Sequence, residues 1–204
     1  MQNWLEYEQA LKTQGYSAVC GIDEAGRGPL AGPVCAACVV LPDGYVPEGI
    51  NDSKKLTEKK REALYDVIRR DAVAYGIAMA SHEEIDALNI LQATFLAMRR
   101  AFEQISPAPS AAIIDGNQRP GLPSYEFTLV KGDALSASVA AASILAKVTR
   151  DRCMVELDAR YPEYGFARHK GYGTAVHRAA LLEYGPCPEH RLTFLKKILG
   201  DTAR

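Results

Sequence analysis

The amino-acid sequence predicts an α/β fold in which a mixed central β-sheet is flanked by helices, with a small helical region at the C-terminus. Three observations lead to this prediction. Two apolar segments rich in valine and cysteine come early, helices and strands alternate through the middle, and the residues after Pro162 predict only helices and loops. Successive strands followed by alternating helices and strands favour a mixed sheet covered on both faces.

The first predicted elements are a short helix and two strands. Asn3 and Glu6 form a capping-box pattern ahead of a helix that Gly15 ends. Residues 18–23 and 33–41 are apolar and predict strands joined by a glycine-rich turn.

The later elements follow from caps, apolar periodicity and prolines. In order, the sequence predicts a loop over 42–56, a helix from Thr57 to about Arg70, a strand over 72–80, a helix opened by Ser81 and Glu84, a helix from Asn89 to Gln104, strands over 111–115 and 125–130, a long helix from Ser136 to about Arg160, and helices near 174–184 and 193–199.

The C-terminal region is basic. We expect a catalytic core over residues 1–161 and a helical substrate-binding region over 162–204, which together form one continuous domain. From residue 165 onwards the sequence contains seven basic residues and three acidic ones. The bases are Arg168, Lys170, Arg178, Arg191, Lys196, Lys197 and Arg204, and the acids are Glu183, Glu189 and Asp201. A basic patch of this kind can contact nucleic acid although the whole chain has a net charge of −1.

The composition is that of an ordinary globular enzyme or binding domain, with 48% hydrophobic and 24% charged residues in 204. No apolar stretch approaches the roughly 20 residues of a membrane span, and the N-terminus lacks the features of a secretory signal. We therefore expect a cytoplasmic protein without a membrane partner, and a monomer.

The five cysteines are an odd number in mostly apolar surroundings, which predicts free thiols. Cys35 and Cys38 have metal-site spacing but lie in a predicted strand and lack a second ligand pair.

Two adjacent carboxylates, Asp23 and Glu24, end the first apolar segment, and a glycine-bracketed arginine follows them. Adjacent anions repel, and at the end of a buried strand they lack full hydration, so a cation beside them is expected. Gly26 and Gly28 let the backbone around Arg27 adopt conformations closed to other residues and approach a ligand closely. The segment suggests a metal ion and a phosphorylated substrate.

Two further acids, Asp115 and Asp133, also follow apolar strands. Each alone is also explained as a turn residue, and for Asp115 alone that explanation is favoured. Sites assemble at strand ends in open α/β sheets, and independent turn residues need not all fall there. The four acids together predict a site for hard divalent cations such as Mg²⁺, and two ions about 4 Å apart suit phosphoryl transfer. Unrelated caps and turns are the alternative.

A dinucleotide-binding loop is a rival interpretation of the segment from Gly26 to Gly32. It has one residue too many before the last glycine and two anions where a pyrophosphate would lie. The next segment also predicts a strand rather than the helix whose N-terminus would hold the phosphate. This interpretation fails.

Three polar segments each have two explanations. Asn51, Ser53 and Lys54 precede a helix with bases in its first turns, which indicates either a bound anion or a solvated surface. Tyr172 lies among bases and glycines, an arrangement suited to stacking on a sugar or base and equally to a packed basic turn. The segment beginning His190-Arg191 either contacts phosphate or only begins a helix.

The order of motifs along the chain resembles a known family. The chain carries GIDEAGRGPLAGPV, NDSKKL, IDGN, KGD, AASILAKVTRD, HKGYGT and HRLTF. This set is similar to bacterial ribonuclease HII, of the type 2 ribonuclease H family, over nearly the whole sequence. The resemblance implies the ribonuclease H-like fold, Mg²⁺ or Mn²⁺ as cofactor, and endonucleolytic cleavage of the RNA strand of RNA·DNA hybrids. It also implies cleavage 5′ of single ribonucleotides in duplex DNA.

The resemblance also implies roles for single residues. It assigns the catalytic metal ligands as Asp23, Glu24, Asp115 and Asp133. Asp151 lies in a matching motif and is the alternative fourth acid, but Asp133 is preferred because it follows a strand as the other acids do.

Substrate contacts are implied in the same way. Gly26, Arg27 and Gly28 match the backbone segment that reads the ribose 2′-hydroxyl, the group that separates RNA from DNA. Tyr172 resembles the tyrosine that stacks on the deoxyribose after the ribonucleotide. Phosphate contacts match Asn51, Ser53 and Lys54.

Two other functions remain open from the sequence. A non-catalytic protein that binds hybrids in the same groove is one, and the complete set of four acids argues against it. A nuclease or transferase that acts on DNA alone is the other, and an all-DNA duplex distinguishes it.

Overall fold

The computed structural model describes residues 3–200. Met1, Gln2 and residues 201–204, which include Asp201 and Arg204 of the basic tail, lie outside the described residues. The elements in chain order are α1 (Glu6–Thr13), β1 (Val19–Ala25), β2 (Val34–Val40), α2 (Glu58–Asp71), β3 (Ala74–Ala80), α3 (His82–Leu88), α4 (Ile90–Glu103), β4 (Ala111–Asp115), β5 (Tyr125–Leu129), α5 (Ala137–Arg160), α6 (Phe166–His169), α7 (Ala175–Tyr184) and α8 (Leu192–Leu199).

The five strands form one mixed sheet in the order β3-β2-β1-β4-β5. β2 is antiparallel to both of its neighbours, β1 and β3. β1, β4 and β5 are parallel to one another, so their carboxyl ends meet at one edge of the sheet. This confirms the predicted α/β fold with a mixed central sheet and brings the acid-bearing strand ends together.

Helices cover both faces of the sheet, α5 packing on β1 and β2, and α4 on β2 and β3. Two glycines allow this close approach. A Cβ at Gly21 would lie 2.1 Å from the backbone carbon of Ser138 in α5, and one at Gly76 would lie 2.0 Å from the carbonyl oxygen of Ala101 in α4. The facing part of α5 is a run of buried small residues, Ala140, Ala141 and Ala142. Small side chains therefore set α5, which lines the site, directly on the strand that carries Asp23.

The helix starts follow the predicted caps. The hydroxyls of Thr57, Ser136 and Thr174 each accept an N–H from the first turn of the following helix, and Asn89 does the same through its side-chain oxygen. Ser81 and Glu84 form the expected capping box.

The capping box predicted at Asn3 is wrong. The first helix begins at Glu6 with Leu5 in the cap position, and the Asn3 side chain accepts a hydrogen bond from the Leu5 N–H at 3.2 Å instead. The asparagine lies too far ahead of the helix to cap it.

The first strand continues beyond the predicted end at Asp23. Glu24 and Ala25 pair with Ala36 and Cys35 of β2, so both carboxylates lie within the strand. Pairing to an antiparallel neighbour overrides the low strand preference of two acids. Because successive side chains on a strand point to opposite faces, Asp23 and Glu24 leave the sheet in opposite directions.

The C-terminal helices pack against the last turns of α5. Leu181 of α7 and Leu195 of α8 share a buried apolar cluster with Met154 of α5 and with Ala31, which lies in the turn between β1 and β2. The same backbone turn is hydrogen-bonded to the C-terminal region through Leu30 N–H to the Gly171 carbonyl at 2.8 Å. The helical region is thus joined to the core through the glycine-rich turn.

All five cysteines are free thiols, as predicted. Between residues 3 and 200, every helix is too short or too polar to cross a bilayer.

Candidate active site

The four predicted acids lie at the edge where the parallel strands end. Asp23 and Glu24 are near the end of β1, and Asp115 is the last residue of β4. Asp133 lies in a 3₁₀ turn over Gly132–Ala134 that follows β5. Asp23 and Asp133 are almost completely buried, at 4% and 5% exposure.

The pKa values of three of these acids show how poorly the local environment supports their charge. Burial raises the pKa of Asp23 well above its usual value, and the charges of Glu24 and Asp115 add to the rise. Burial also raises the pKa of Glu24, as does Asp115, while Arg27 opposes the rise. Desolvation and repulsion among anions are what a bound cation would relieve.

Asp115 and Asp133 are connected through the 3₁₀ turn. The Gly132 N–H donates to Asp115 Oδ1 at 2.7 Å, which fixes the orientation of that carboxylate. Burial, followed by the charge of Asp115, raises the pKa of Asp133. Lys54 Nζ lies 3.6 Å from Asp133 Oδ2 and partly offsets this repulsion.

The side chains as they stand do not form a finished coordination sphere. Within residues 3–200, no three His, Cys, Asp or Glu side chains converge on one point closely enough to hold an ion. Two local causes are visible. Asp23 and Glu24 project to opposite faces of the sheet, and Asp115 is held by the Gly132 N–H.

A cavity of about 320 Å³ separates the glycine-rich turn from α5 and opens beside Glu24. It contains most of the predicted substrate residues and is lined by Glu24, Ala25, Gly26, Arg27, Gly28, Ser53, Lys54, Ser143, Lys147, Arg150 and Tyr172. A smaller cavity of about 70 Å³ lies on the other side of Glu24 and is lined in part by Arg27, Asp115 and Asn117. Glu24 and Arg27 belong to both cavities.

The turn presents its backbone to the larger cavity opposite an aromatic ring. The Tyr172 side chain is 46% exposed, and a Cβ at Gly28 would lie 3.5 Å from its ring. Within residues 3–200, the N–H groups of Arg27 and Gly28 donate to no protein acceptor. The cavity therefore combines free backbone donors with a ring face.

Gly26 adopts the kind of backbone conformation expected of it and also makes room for a neighbouring side chain. Its φ is +98°, and a Cβ there would collide with the guanidinium of Arg150 at 2.0 Å. The absence of a side chain at this position makes room for a buried arginine beneath the turn.

The side chains of two residues that were predicted to contact phosphate form hydrogen bonds within the protein instead. Ser53 is 3% exposed, and its hydroxyl is 2.9 Å from the hydroxyl of Ser143. Asn51 uses its side-chain oxygen to accept the Asp52 N–H at 2.9 Å and does not line either cavity among the described residues. Lys54, with 80% of its side chain exposed, lies beside the cavity with its charge accessible.

The alternative fourth acid, Asp151, is paired with a base. Its carboxylate accepts a hydrogen bond from Lys147 Nζ at 2.7 Å, one helical turn away in α5. Asp133, in contrast, is coupled electrostatically to Asp115.

Three residues of α5 that line the cavity have no role predicted from the sequence, namely Ser143, Lys147 and Arg150. Their spacing of four and three residues places them on one face of a helix, which is the signal that identifies them as a group. The sequence did not show that this face is turned toward the glycine-rich turn.

Of the two explanations for the His190-Arg191 segment, phosphate contact is excluded. The two side chains are 1% and 0% exposed, so neither can reach a nucleic acid backbone. Arg191 precedes α8 and points into the protein.

Comparison with solved structures gives the class of the fold. The ribonuclease H2 of Pyrococcus horikoshii OT3 superposes with a TM-score of 0.75 at 29% identity, over 92% of this chain and 99% of that one. Bst-RNase HIII, solved in complex with Mn²⁺, has a TM-score of 0.65 at 19% identity over 95% of this chain and 66% of that one, and shares the fold. The chain is therefore a member of the ribonuclease H-like class.

Sequence comparison identifies the family within that class. The ribonuclease HII family model matches residues 20–198. The ribonuclease HII of Syntrophotalea carbinolica is 57% identical over 190 residues, which are 93% of this chain and 91% of that protein. The chain belongs to the ribonuclease HII family, and it is a hydrolase that acts as an endonuclease on the RNA of RNA·DNA hybrids.

Proposed function

We propose that this enzyme also cuts duplex DNA on the 5′ side of a single embedded ribonucleotide, using two divalent metal ions and leaving 3′-hydroxyl and 5′-phosphate ends. One observation carries the proposal. The N–H groups of Arg27 and Gly28, which donate to no acceptor within residues 3–200, lie two and three residues after β1, the strand that holds Asp23 and Glu24. The amides proposed to contact the sugar and the acids proposed to act on the cleaved phosphate therefore lie on one continuous stretch of backbone.

The donor set suits a hard divalent cation. Four carboxylates supply only oxygen ligands, which Mg²⁺ and Mn²⁺ prefer, and few protein ligands per ion leave positions for water and phosphate. Burial, followed by the charges of neighbouring acids, raises the pKa values of Asp23, Glu24 and Asp133, and Arg27 and Lys54 only partly oppose this for Glu24 and Asp133. We propose that Asp23, Glu24, Asp115 and Asp133 would be the ligands of such ions.

Recognition of the ribonucleotide would come from the turn and the tyrosine. A backbone N–H can donate to a 2′-hydroxyl, and a deoxyribose offers nothing to accept it. Tyr172 faces Gly28 across the cavity and presents an exposed ring on which the next sugar can stack. A ribonucleotide followed by a deoxyribonucleotide would then be bound on both sides of the junction.

Phosphate binding would rest on the exposed bases around the cavity. Lys54 and Arg27 keep much of their side chains exposed while facing the acids Asp133 and Glu24 at 3.6 and 3.4 Å. Lys147 lines the same cavity. Ser53 and Asn51 are proposed to act through the shape and backbone of their loop, since their side chains are engaged internally.

The reaction is a hydrolysis with in-line geometry. Bound divalent ions would lower the pKa of the attacking water and stabilise the leaving oxygen. The water gives up one proton and its oxygen forms a bond to phosphorus, the bond from phosphorus to the 3′-oxygen breaks, and that oxygen takes up one proton and leaves as a hydroxyl. The protein would hold the phosphate with Lys54 and Arg27, which also oppose the rise in the pKa of Asp133 and Glu24.

We further propose that residues 162–204 act with the core as one domain, because Tyr172 reaches the cavity only through the packing of this region on α5 and on Leu30.

The decisive experiment uses a DNA duplex with one ribonucleotide, a matched all-DNA duplex and a continuous RNA·DNA hybrid, each with Mg²⁺ or Mn²⁺. We expect a single cut on the 5′ side of the ribonucleotide, cleavage along the hybrid and no cut in DNA. If the hybrid is cut while the single-ribonucleotide duplex stays intact at high enzyme concentration, the proposal is wrong. Cleavage of the all-DNA duplex would contradict the role of the turn.

A further inference from the structure

Arg191 is a fully buried cation whose partners are carbonyl groups. Its guanidinium donates five hydrogen bonds, to the carbonyls of Gly32, Arg27, Pro29, Gly26 and Pro33, at 2.7 to 3.1 Å. All five carbonyls belong to the connection between β1 and β2. No carboxylate within residues 3–200 forms an ion pair with it.

A second buried arginine supports the same connection from α5. Arg150 is 1% exposed and donates to the carbonyls of Pro33, Lys170 and Ala31 at 2.9 to 3.2 Å. Lys170 belongs to the segment that carries Tyr172, so Arg150 joins the turn to the tyrosine segment. Arg150 also packs against Gly26, but of the two arginines only Arg191 donates to the carbonyls of Gly26 and Arg27.

The direction of these carbonyls fixes the direction of the neighbouring amides. In a trans peptide unit the C=O and the following N–H point opposite ways. Because the Gly26 and Arg27 carbonyls point inward to Arg191, the N–H groups of Arg27 and Gly28 point away from it. Neither of these N–H groups donates a hydrogen bond to an acceptor in the described part of the chain.

Burial of an arginine without a carboxylate is costly, so stability alone is a weak reason for its presence. An apolar side chain of similar size would fill the space but would leave the carbonyls of Gly26, Arg27, Pro29 and Gly32 unpaired, since Arg150 donates only to the Pro33 carbonyl among the five, and the turn would reorganise. A rigid fork of five N–H donors matches this curved set of carbonyls, and the single ammonium of a lysine does not.

We infer that Arg191 is a positioning residue for sugar recognition: it holds the carbonyls of the turn inward and thereby presents the Arg27 and Gly28 amides to the ribose. This inference rests on the proposed reading of the 2′-hydroxyl by the turn. It assigns to Arg191 a role in selectivity without any contact with the substrate.

The test compares two dissociation constants, measured in EDTA so that no strand is cut. One is for the duplex with a single ribonucleotide and the other for the matched all-DNA duplex. For Arg191→Lys we expect the ratio of the two dissociation constants, which measures the preference for the ribonucleotide, to fall about tenfold. This factor corresponds to the free energy of roughly one hydrogen bond. Affinity for the all-DNA duplex should be retained, because the exposed phosphate-binding bases are unchanged.

Arg191→Ala extends the test by chemical rescue. The deletion leaves a cavity of the shape of guanidinium, so guanidinium at a non-denaturing concentration should restore the preference, while an equal concentration of sodium chloride should not. Arg99→Lys is the matched control, since Arg99 also donates to a carbonyl, that of Pro120 at 2.7 Å, away from the turn. A folded Arg191→Lys protein with the wild-type preference would overturn the inference.

A measurement on the wild-type protein keeps the inference testable if both variants fail to fold. The Arg27 and Gly28 amides should exchange rapidly with solvent in the free protein and become protected by the ribonucleotide duplex, but not by the all-DNA duplex. Slow exchange of both amides in the free protein would overturn the inference. A wild-type protein that shows no preference at all for the ribonucleotide duplex would instead contradict the proposed function.

Discussion

Single carboxylates at the site combine burial with mutual repulsion. Asp23 is 4% exposed and its pKa is raised by burial and by two neighbouring acids, a combination that costs folding energy when no cation is bound. Asp115 differs from it, because a backbone N–H already fixes its orientation. It is therefore the acid whose replacement separates chemistry from folding most cleanly.

Replacing Asp115 by asparagine should remove activity and keep the fold. The amide oxygen of asparagine can still accept the Gly132 N–H, but one anionic ligand is lost. Changes to partners of metal ligands cost about 10–100-fold, so loss of a ligand itself should cost at least about 100-fold in cleavage rate. Single-turnover cleavage and a melting curve measure the two effects. Asp66→Asn, at an exposed position of α2, is the control, and a near-normal rate for Asp115→Asn would remove this residue from the site.

The ring of Tyr172 is exposed on the face that a sugar would occupy. Tyr172→Ala should weaken cleavage at the ribonucleotide junction about 5- to 150-fold, the range that corresponds to one stacking interaction. Tyr172→Phe should keep most of the activity, since the ring remains. Tyr184→Ala removes a tyrosine that is 56% exposed on α7 outside the cavity, and it should cut normally. An unchanged junction rate in Tyr172→Ala would indicate that the ring only packs.

That the four acids lie near one edge of the sheet could be predicted from the sequence, but the burial of Arg191 could not. Four carboxylates after apolar strands are a local pattern with a chemical meaning. An arginine in a basic C-terminal segment is expected at the surface, because charged side chains are rarely buried fully. Its burial depends on carbonyls that lie more than 150 residues earlier in the chain, and no local pattern reports them.

At the scale of elements, the starts of helices were predictable because caps are local. Thr57, Ser81, Asn89 and Ser136 each act through residues within the next turn. The end of β1 was not predictable, because its last pairs are decided by β2. The consequence for the site is that Asp23 and Glu24 face opposite sides of the sheet rather than one side of a loop.

The start of α5 is stabilised by an acid from the first helix. Glu8 Oε1 accepts hydrogen bonds from the hydroxyls of Ser136 and Ser138 and from the Ser138 N–H, at 2.6 to 3.1 Å. A carboxylate at a helix N-terminus also interacts favourably with the helix dipole. Through this contact α1 fixes the helix that lines the cavity.

Glu8→Gln should lower the free energy of unfolding by about 1–2 kcal/mol, because a charged acceptor at the helix start becomes neutral. Urea denaturation at neutral pH measures it. Glu6→Gln in the same helix is the matched control, since Glu6 is exposed and does not reach α5. Equal stability of the two variants would show that the contact contributes nothing.

At the scale of the whole molecule, two buried histidines connect the C-terminal helices to the tyrosine segment. His177 and His190 face each other with their Nε2 atoms 3.0 Å apart, and His177 Nδ1 donates to the Tyr172 carbonyl at 3.0 Å. His190 Nδ1 accepts the Cys187 N–H at 3.0 Å. The hydrogen bonds can all form only when both rings are neutral, so one proton lies between the two Nε2 atoms.

Stability should therefore fall in mild acid. Burial, followed by the charge of His177, lowers the pKa of His190 from 6.5 to about 4, and burial lowers that of His177. Since the unfolded chain binds the proton more tightly, stability from His190 is constant above pH 6.5 and decreases as the pH falls from 6.5 toward 4, by up to about 3 kcal/mol.

Urea denaturation of the wild-type protein and of His190→Gln at pH 7.5 and pH 5 checks this expectation. The raised pKa values of the site acids act in the opposite direction, and because both proteins carry these acids, the difference between the two isolates His190. A smaller loss of stability at pH 5 in His190→Gln than in the wild-type protein supports the role of the histidine pair. Equal losses of stability in both proteins would contradict it.

The connection between Arg191 and the glycine-rich turn also sets an order of events during synthesis. The Gly26 carbonyl and the Arg191 guanidinium are separated by 165 positions in the chain. All four acids emerge from the ribosome before Arg191, yet the Gly26 and Arg27 carbonyls gain this partner only when residue 191 has appeared. A nascent or prematurely ended chain therefore carries the acids without this support for the turn, and if the turn reads the 2′-hydroxyl as proposed, we expect such a chain to lack the preference for a ribonucleotide.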